Sequence, residues 1–174
     1  MRITRIGLAL GLLTASPAQA RPAEALACAL QAAPAGLDAR VADVIIAQDD
    51  DRGRATLDAV RALTERCAAD QFLDARQQAA YFRYVLGRMG RDGIDTRLTA
   101  AGLAAGVIDA ALDIGPGNAN NPASSVTKGD LHMVARAYAA AGHDPARITP
   151  DQWMLITGWI TATATMFDAL RDLD

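Results

Sequence analysis

His132 and His143 are the only histidines of this chain, and Cys28 and Cys67 are its only cysteines. Acid–base chemistry near neutral pH draws first on histidine. His132 follows Asp130 by two residues, so a general base oriented by a carboxylate is one reading of this pair. The plainer reading gives both histidines structural roles, with His143 a turn residue before Asp144 and Pro145. Neither stands at zinc-ligand spacing, and no metal is expected.

Other catalytic patterns are weak or missing. There is no Gly-x-Ser-x-Gly elbow. Glu65, the only mid-chain glutamate, is flanked by Arg61 and Arg66, which argues against a carboxyl pair of the muramidase kind. Asp49, Asp51 and Gly53 alternate as in a calcium loop. Arg52 and Arg54 interrupt them, however, and Val60 stands where a bidentate glutamate is needed. Gly115 and Gly117 surround Pro116 and follow no strand, so no cofactor is expected.

Two stretches remain as binding candidates. Residues 113–126 form the one long irregular segment, rich in amide and hydroxyl groups at Asn118, Asn120, Asn121, Ser124 and Ser125. Arg76, Arg83, Arg88 and Arg91 form a basic set for an anionic surface, or for the acidic turn at Asp49–Asp51. The plainer readings are a connector and a solvated face.

The chain begins with Arg2 and Arg5, continues with a short apolar block from Ile6 to Leu13, and reaches Ala18-Gln19-Ala20. That order is a secretory signal peptide over residues 1–20, leaving residues 21–174 as a single domain. An exported chain meets an oxidising compartment, periplasmic or extracellular, so Cys28 and Cys67 are expected to pair. Ala25-Leu26-Ala27-Cys28 also resembles a lipobox, but Pro17, Arg21, Pro22 and Glu24 separate it from the apolar block. The whole chain carries 17 basic and 20 acidic residues, net −3, and losing Arg2 and Arg5 makes the rest more acidic. Nothing there argues for nucleic acid.

Periodicity predicts helices throughout. The first runs from Pro22 to Ala33. The second is capped by Asp38 and carries Val41, Val44 and Ile45. The third places Leu57, Val60, Leu63, Thr64 and Cys67 in register. A fourth is expected from Leu73 to Met89, broken by Gly90, Asp92 and Gly93, and a fifth from Thr96 to Leu112. In that fifth helix Gly102 and Gly106 would admit a neighbouring backbone. The sixth starts at Thr127 with Asp130 as its capping partner and ends at Gly142.

The last helix, from Thr149 to Leu173, dominates the reading. Thr149, Pro150 and Gln152 form a capping box with proline at the first helical position, and Ile148 with Trp153 is placed for a hydrophobic staple. No charged side chain occurs from Gln152 to Phe167. That run is shorter than the ~20 residues a membrane span needs and contains threonines and a glycine. Trp153, Ile156, Trp159, Ile160, Phe167 and Leu170 share one apolar arc. Thr161 and Thr165 fall opposite with Thr157 at the border, either as a groove wall or as an outer face. The expected fold is all-α, six or seven helices with this largely uncharged helix in the core.

The expected function is a non-enzymatic exported binding or interaction protein of the immunity, inhibitor or accessory type, acting on another exported or cell-envelope protein. The alternative is a small exported hydrolase using His132 and Asp130 near the 113–126 loop.

Overall fold

Capping chemistry fixes where several helices begin. Thr127 accepts from the Asp130 amide, and Asp130 accepts from the Thr127 amide, so the box before the sixth helix is closed in both directions. Gln152 and Thr149 do the same for the last helix, at 2.8 and 3.2 Å. Asp74 and Gln77 form a third such box. Each satisfies amides that the first turn of a helix leaves without a partner.

The computed structural model describes residues 23–47, 50–115 and 126–173. The proposed signal segment 1–20 lies outside them. The elements are α1 (Ala23–Gln31), α2 (Leu37–Ala47), α3 (Asp50–Asp70), α4 (Ala75–Ala100), α5 (Ala105–Leu112), α6 (Lys128–Ala140) and α7 (Pro150–Leu173). A 3-10 turn at Pro145–Arg147 precedes the last. Among the described residues there is no strand, and no helix is long and apolar enough to cross a membrane. Over the described residues the fold is all-α, with seven α-helices in one arrangement.

The spine is α4 packed along α7. One apolar cluster joins α1, α2, α3, the first half of α4 and the end of α7, through Val41, Val60, Tyr81, Val85 and Met166. The other joins the second half of α4, α5, α6 and the first half of α7, through Ile94, Ile108, Tyr138, Trp159 and Ile160. Ile45 of α2 packs against both clusters.

Two expectations about glycine are corrected. Gly90 and Gly93 do not break a helix; α4 runs straight through them to Ala100. They serve close packing instead, as does Gly87, where a β-carbon would stand 2.8 Å from both the Ala162 carbonyl oxygen and the Met166 nitrogen of α7. Gly102 and Gly106, expected to admit a backbone, have nothing within 4 Å. The chain turns at Gly102, so α5 starts at Ala105 rather than near Thr96.

Ile156, Trp159 and Ile160 are buried as the apolar arc requires. The burial of α7 extends further than that arc, because Gly158, Ala162 and Ala169 are buried as well. Thr163 is also fully buried, and its hydroxyl has no hydrogen-bond partner. This broad burial accounts for the absence of charge over most of Gln152 to Phe167, where a charge would have to leave water; Met154 and Thr161 are the exposed exceptions.

Cys28 and Cys67 form a disulfide, Cα–Cα 6.0 Å, that ties α1 to α3. Beside it the Tyr81 hydroxyl accepts a hydrogen bond from the Ala29 amide at 3.1 Å. The arginine set divides among partners within the fold. Arg83 donates to Asp172, with Arg76 nearby, and this holds the Asp172 carboxyl below the ordinary carboxylate range. Arg88 pairs with Asp92 one turn along α4, and Arg91 lies 5.2 Å over the Trp159 ring.

A candidate binding groove between α2 and α7

The last turns of α2 and the first three turns of α7 leave an open groove of about 590 Å³ between them. Ile45, Ile46 and Ala47 form one side. Pro150, Trp153, Met154, Thr157, Gly158 and Thr161 form the other. The Thr149–Gln152 box sets where α7 starts, and Gln152 also reaches the Ala101 carbonyl at the end of α4, at 3.4 Å. Arg97 holds α2 in place from α4, pairing with Asp43 at 2.8 Å and donating to the Ala39 carbonyl at 2.9 Å.

Small residues make the groove possible. Ile45 reaches over Gly90 of α4, and a β-carbon at Gly158 would stand 3.1 Å from Ile94 and 3.6 Å from Ile45. A side chain at residue 158 would press on that floor. Thr157 donates its hydroxyl to the Trp153 carbonyl at 2.9 Å, so its donor is spent within the helix while its oxygen can still accept. Thr161 is exposed, and Met154 is 48% exposed, unusual for a large apolar side chain. Among the described residues, the nine that line it contain no titratable side chain. What this arrangement can do is bury apolar surface and exchange hydrogen bonds with hydroxyls. It is also of the size that ligand sites take.

No family model, curated protein or solved structure matches this chain. The groove therefore has to be read from its own residues. A second groove of about 440 Å³ lies across α2, lined by Arg40, Asp43, Val44, Ile46, Ala47, Gly53 and Thr56. Ile46 and Ala47 wall both, so the end of α2 is a partition with an opening on each side.

The residues singled out in the sequence are placed as follows. Asn118, Asn120, Asn121, Ser124 and Ser125 lie outside the described residues. The Asp130 carboxylate accepts from both the amide and the hydroxyl of Thr127, at 2.8 Å each, so it serves as a helix cap. His132 is exposed on α6. Residues two apart on a helix do not face each other, so α6 does not bring His132 and Asp130 together. His143 is half-buried with its ring edge-on to Tyr138, 5.5 Å between centroids. Among the described residues no three of His, Cys, Asp and Glu cluster as metal ligands would.

Of the threonine stripe, read either as a groove wall or as an outer face, Thr157 and Thr161 line the groove and Thr165 does not. The missed wall is Ile45 and Ile46. With Val44 they form an apolar block that could be a strand or a helix turn, and nothing local says that α7 lies opposite.

Proposed function

We propose that this chain is a non-enzymatic binding protein of the exported compartment, of the immunity, inhibitor or accessory type. It takes an apolar segment of another exported or cell-envelope protein into the groove between α2 and α7. The observation that carries this reading is the groove lining: Ile45, Ile46, Trp153 and Met154 with Thr157 and Thr161, open to solvent and, among the described residues, without a titratable group. Apolar surface left open in a groove gains free energy when a partner covers it. The Cys28–Cys67 disulfide and the order of residues 1–20 support the compartment. The amide-rich stretch from Asn118 to Ser125 is a second contact surface within the same reading.

The test is a pull-down from the exported fraction, with captured proteins identified by mass spectrometry and rebound in purified form. A single partner that rebinds supports the reading. A hydrolytic activity that disappears in His132→Ala would overturn it in favour of a small exported hydrolase using His132 and Asp130.

A further inference from the structure

We propose that the tip of the α3–α4 hairpin is a self-association surface, on which Phe72 of one copy packs against α4 of a second copy. This surface lies at the other end of α7 from the groove and is independent of it.

The same chain ending occurs at three helix C-termini. At α4 the Gly102 amide bonds the Thr99 carbonyl and the Leu103 amide bonds Leu98; at α6 the Gly142 amide bonds Ala139 and the His143 amide bonds Tyr138. Both pivots are glycines in the left-handed region, φ +75° and +89°. At α3 the Phe72 amide bonds Ala69 and the Leu73 amide bonds Ala68, the same pair of bonds, but the pivot is phenylalanine at φ +54°. Glycine takes this conformation freely and a bulky residue does not. Phe72 is also 93% exposed, so its ring gains almost nothing from the fold. A side chain that strains the backbone and meets only water does its packing outside this chain.

The surface around it suits a second copy. Ala75, Ala79 and Phe82 recur at helical spacing along the start of α4, and Phe72 lies in the turn just before it. The two alanines are exposed, and Phe82 is half-buried under Arg61. Small residues flanked by aromatics let two helices approach closely. Exposed Arg61, Arg66 and Arg76 are matched by exposed Glu65, Asp70 and Asp74. Charges of both signs on one patch let two copies related by a two-fold axis meet with opposite signs opposed. The same carboxylates oppose an anionic bilayer.

Sedimentation velocity of the purified exported protein over a concentration series tests this. The wild type should form a dimer, and Phe72→Gly should weaken it at least about tenfold while keeping the wild-type circular dichroism and an equal or higher thermal midpoint. Phe72→Trp should retain the dimer, and Met154→Asp, in the distant groove, should leave it unchanged. A wild type that stays monomeric to about 100 µM, well above a typical specific Kd, overturns the proposal. So does a dimer indifferent to Phe72→Gly, or one lost in Met154→Asp. Phe72-dependent binding to phosphatidylglycerol vesicles by a monomer would assign the ring to lipid and overturn it as well.

Discussion

Ile45 of α2 occupies the notch that Gly90 leaves in α4: a β-carbon at residue 90 would stand 2.1 Å from Ile45 Cδ1. The same isoleucine lines the groove on its other side. Gly90 therefore sets how deeply one wall of the groove sits. The crowded atom is the end of a flexible side chain, so Gly90→Ala can be accommodated by a shift of Ile45. Gly87 differs, because the crowded atoms there are α7 backbone at Ala162 and Met166. Gly87→Ala should cost about 1–3 kcal/mol despite alanine's better helix propensity, and Gly90→Ala no more than about 1 kcal/mol. Urea unfolding of the two variants checks the order, and the reverse order would mean that the α4–α7 contact is looser than described.

Within α7, burial and hydrogen bonding give three different expectations. Ile160 is fully buried, so Ile160→Ala should cost about 2–5 kcal/mol. Thr165 is half-buried on the opposite side, and Thr165→Ala should cost no more than about 0.5 kcal/mol. Thr163→Val replaces a buried hydroxyl that has no partner with a methyl of the same shape, and should stabilise by roughly 1 kcal/mol. Denaturant midpoints of the three variants suffice. A destabilised Thr163→Val would show that the hydroxyl makes a bond that matters.

Much of α6 and α7 was legible because their signals are local. The Thr149–Gln152 box, the Thr127–Asp130 box and the faces of Ile156, Trp159 and Ile160 each follow from a few consecutive residues. The disulfide was expected from the proposed exported compartment and the count of two cysteines. Gly90 and Gly93 misled, since a glycine pair reads as a break unless one knows that another helix lies against it. Thr163 was not singled out for the same reason: its type suggests an outer face, while its angle places it inside. Ile45 meets Thr157 and Thr161 across a groove only after α2 has docked on α4, and no spacing along the chain encodes that meeting.

Alkaline pH should destabilise the protein through its tyrosines. The Tyr138 hydroxyl donates to the Ala104 carbonyl at 3.1 Å, and burial pushes its pKa from 10.0 to about 12. Burial also raises Tyr81. The folded state thus favours the protonated phenol, so this stabilisation is complete below pH 10 and is lost as pH rises toward 12. Stability measured between pH 9 and about 12 should fall for the wild type and fall less steeply for Tyr138→Phe. Equal slopes would place the phenol in contact with water.

Removing the covalent tie should loosen α1 without dissolving the fold. Cys28 and Cys67 are separated by 39 residues. Losing such a loop costs roughly 3–4 kcal/mol by chain entropy. Cys28→Ser with Cys67→Ser should lower stability by that order, and amide exchange at Ala29, bonded to Tyr81, should accelerate. Thiol titration of the denatured, unreduced wild type should find no free thiol; two per chain would contradict the bond.

The groove itself is tested most directly by affinity. With the purified partner recovered from the exported fraction, calorimetric titration compares the wild type with Met154→Arg, Thr161→Arg and His132→Ala. Each groove variant places a charge on an exposed lining position, so folding should survive while binding weakens at least about tenfold. His132→Ala should bind within a few-fold of the wild type. Unchanged affinity in both groove variants, with the partner held equally well, would contradict a binding site between α2 and α7.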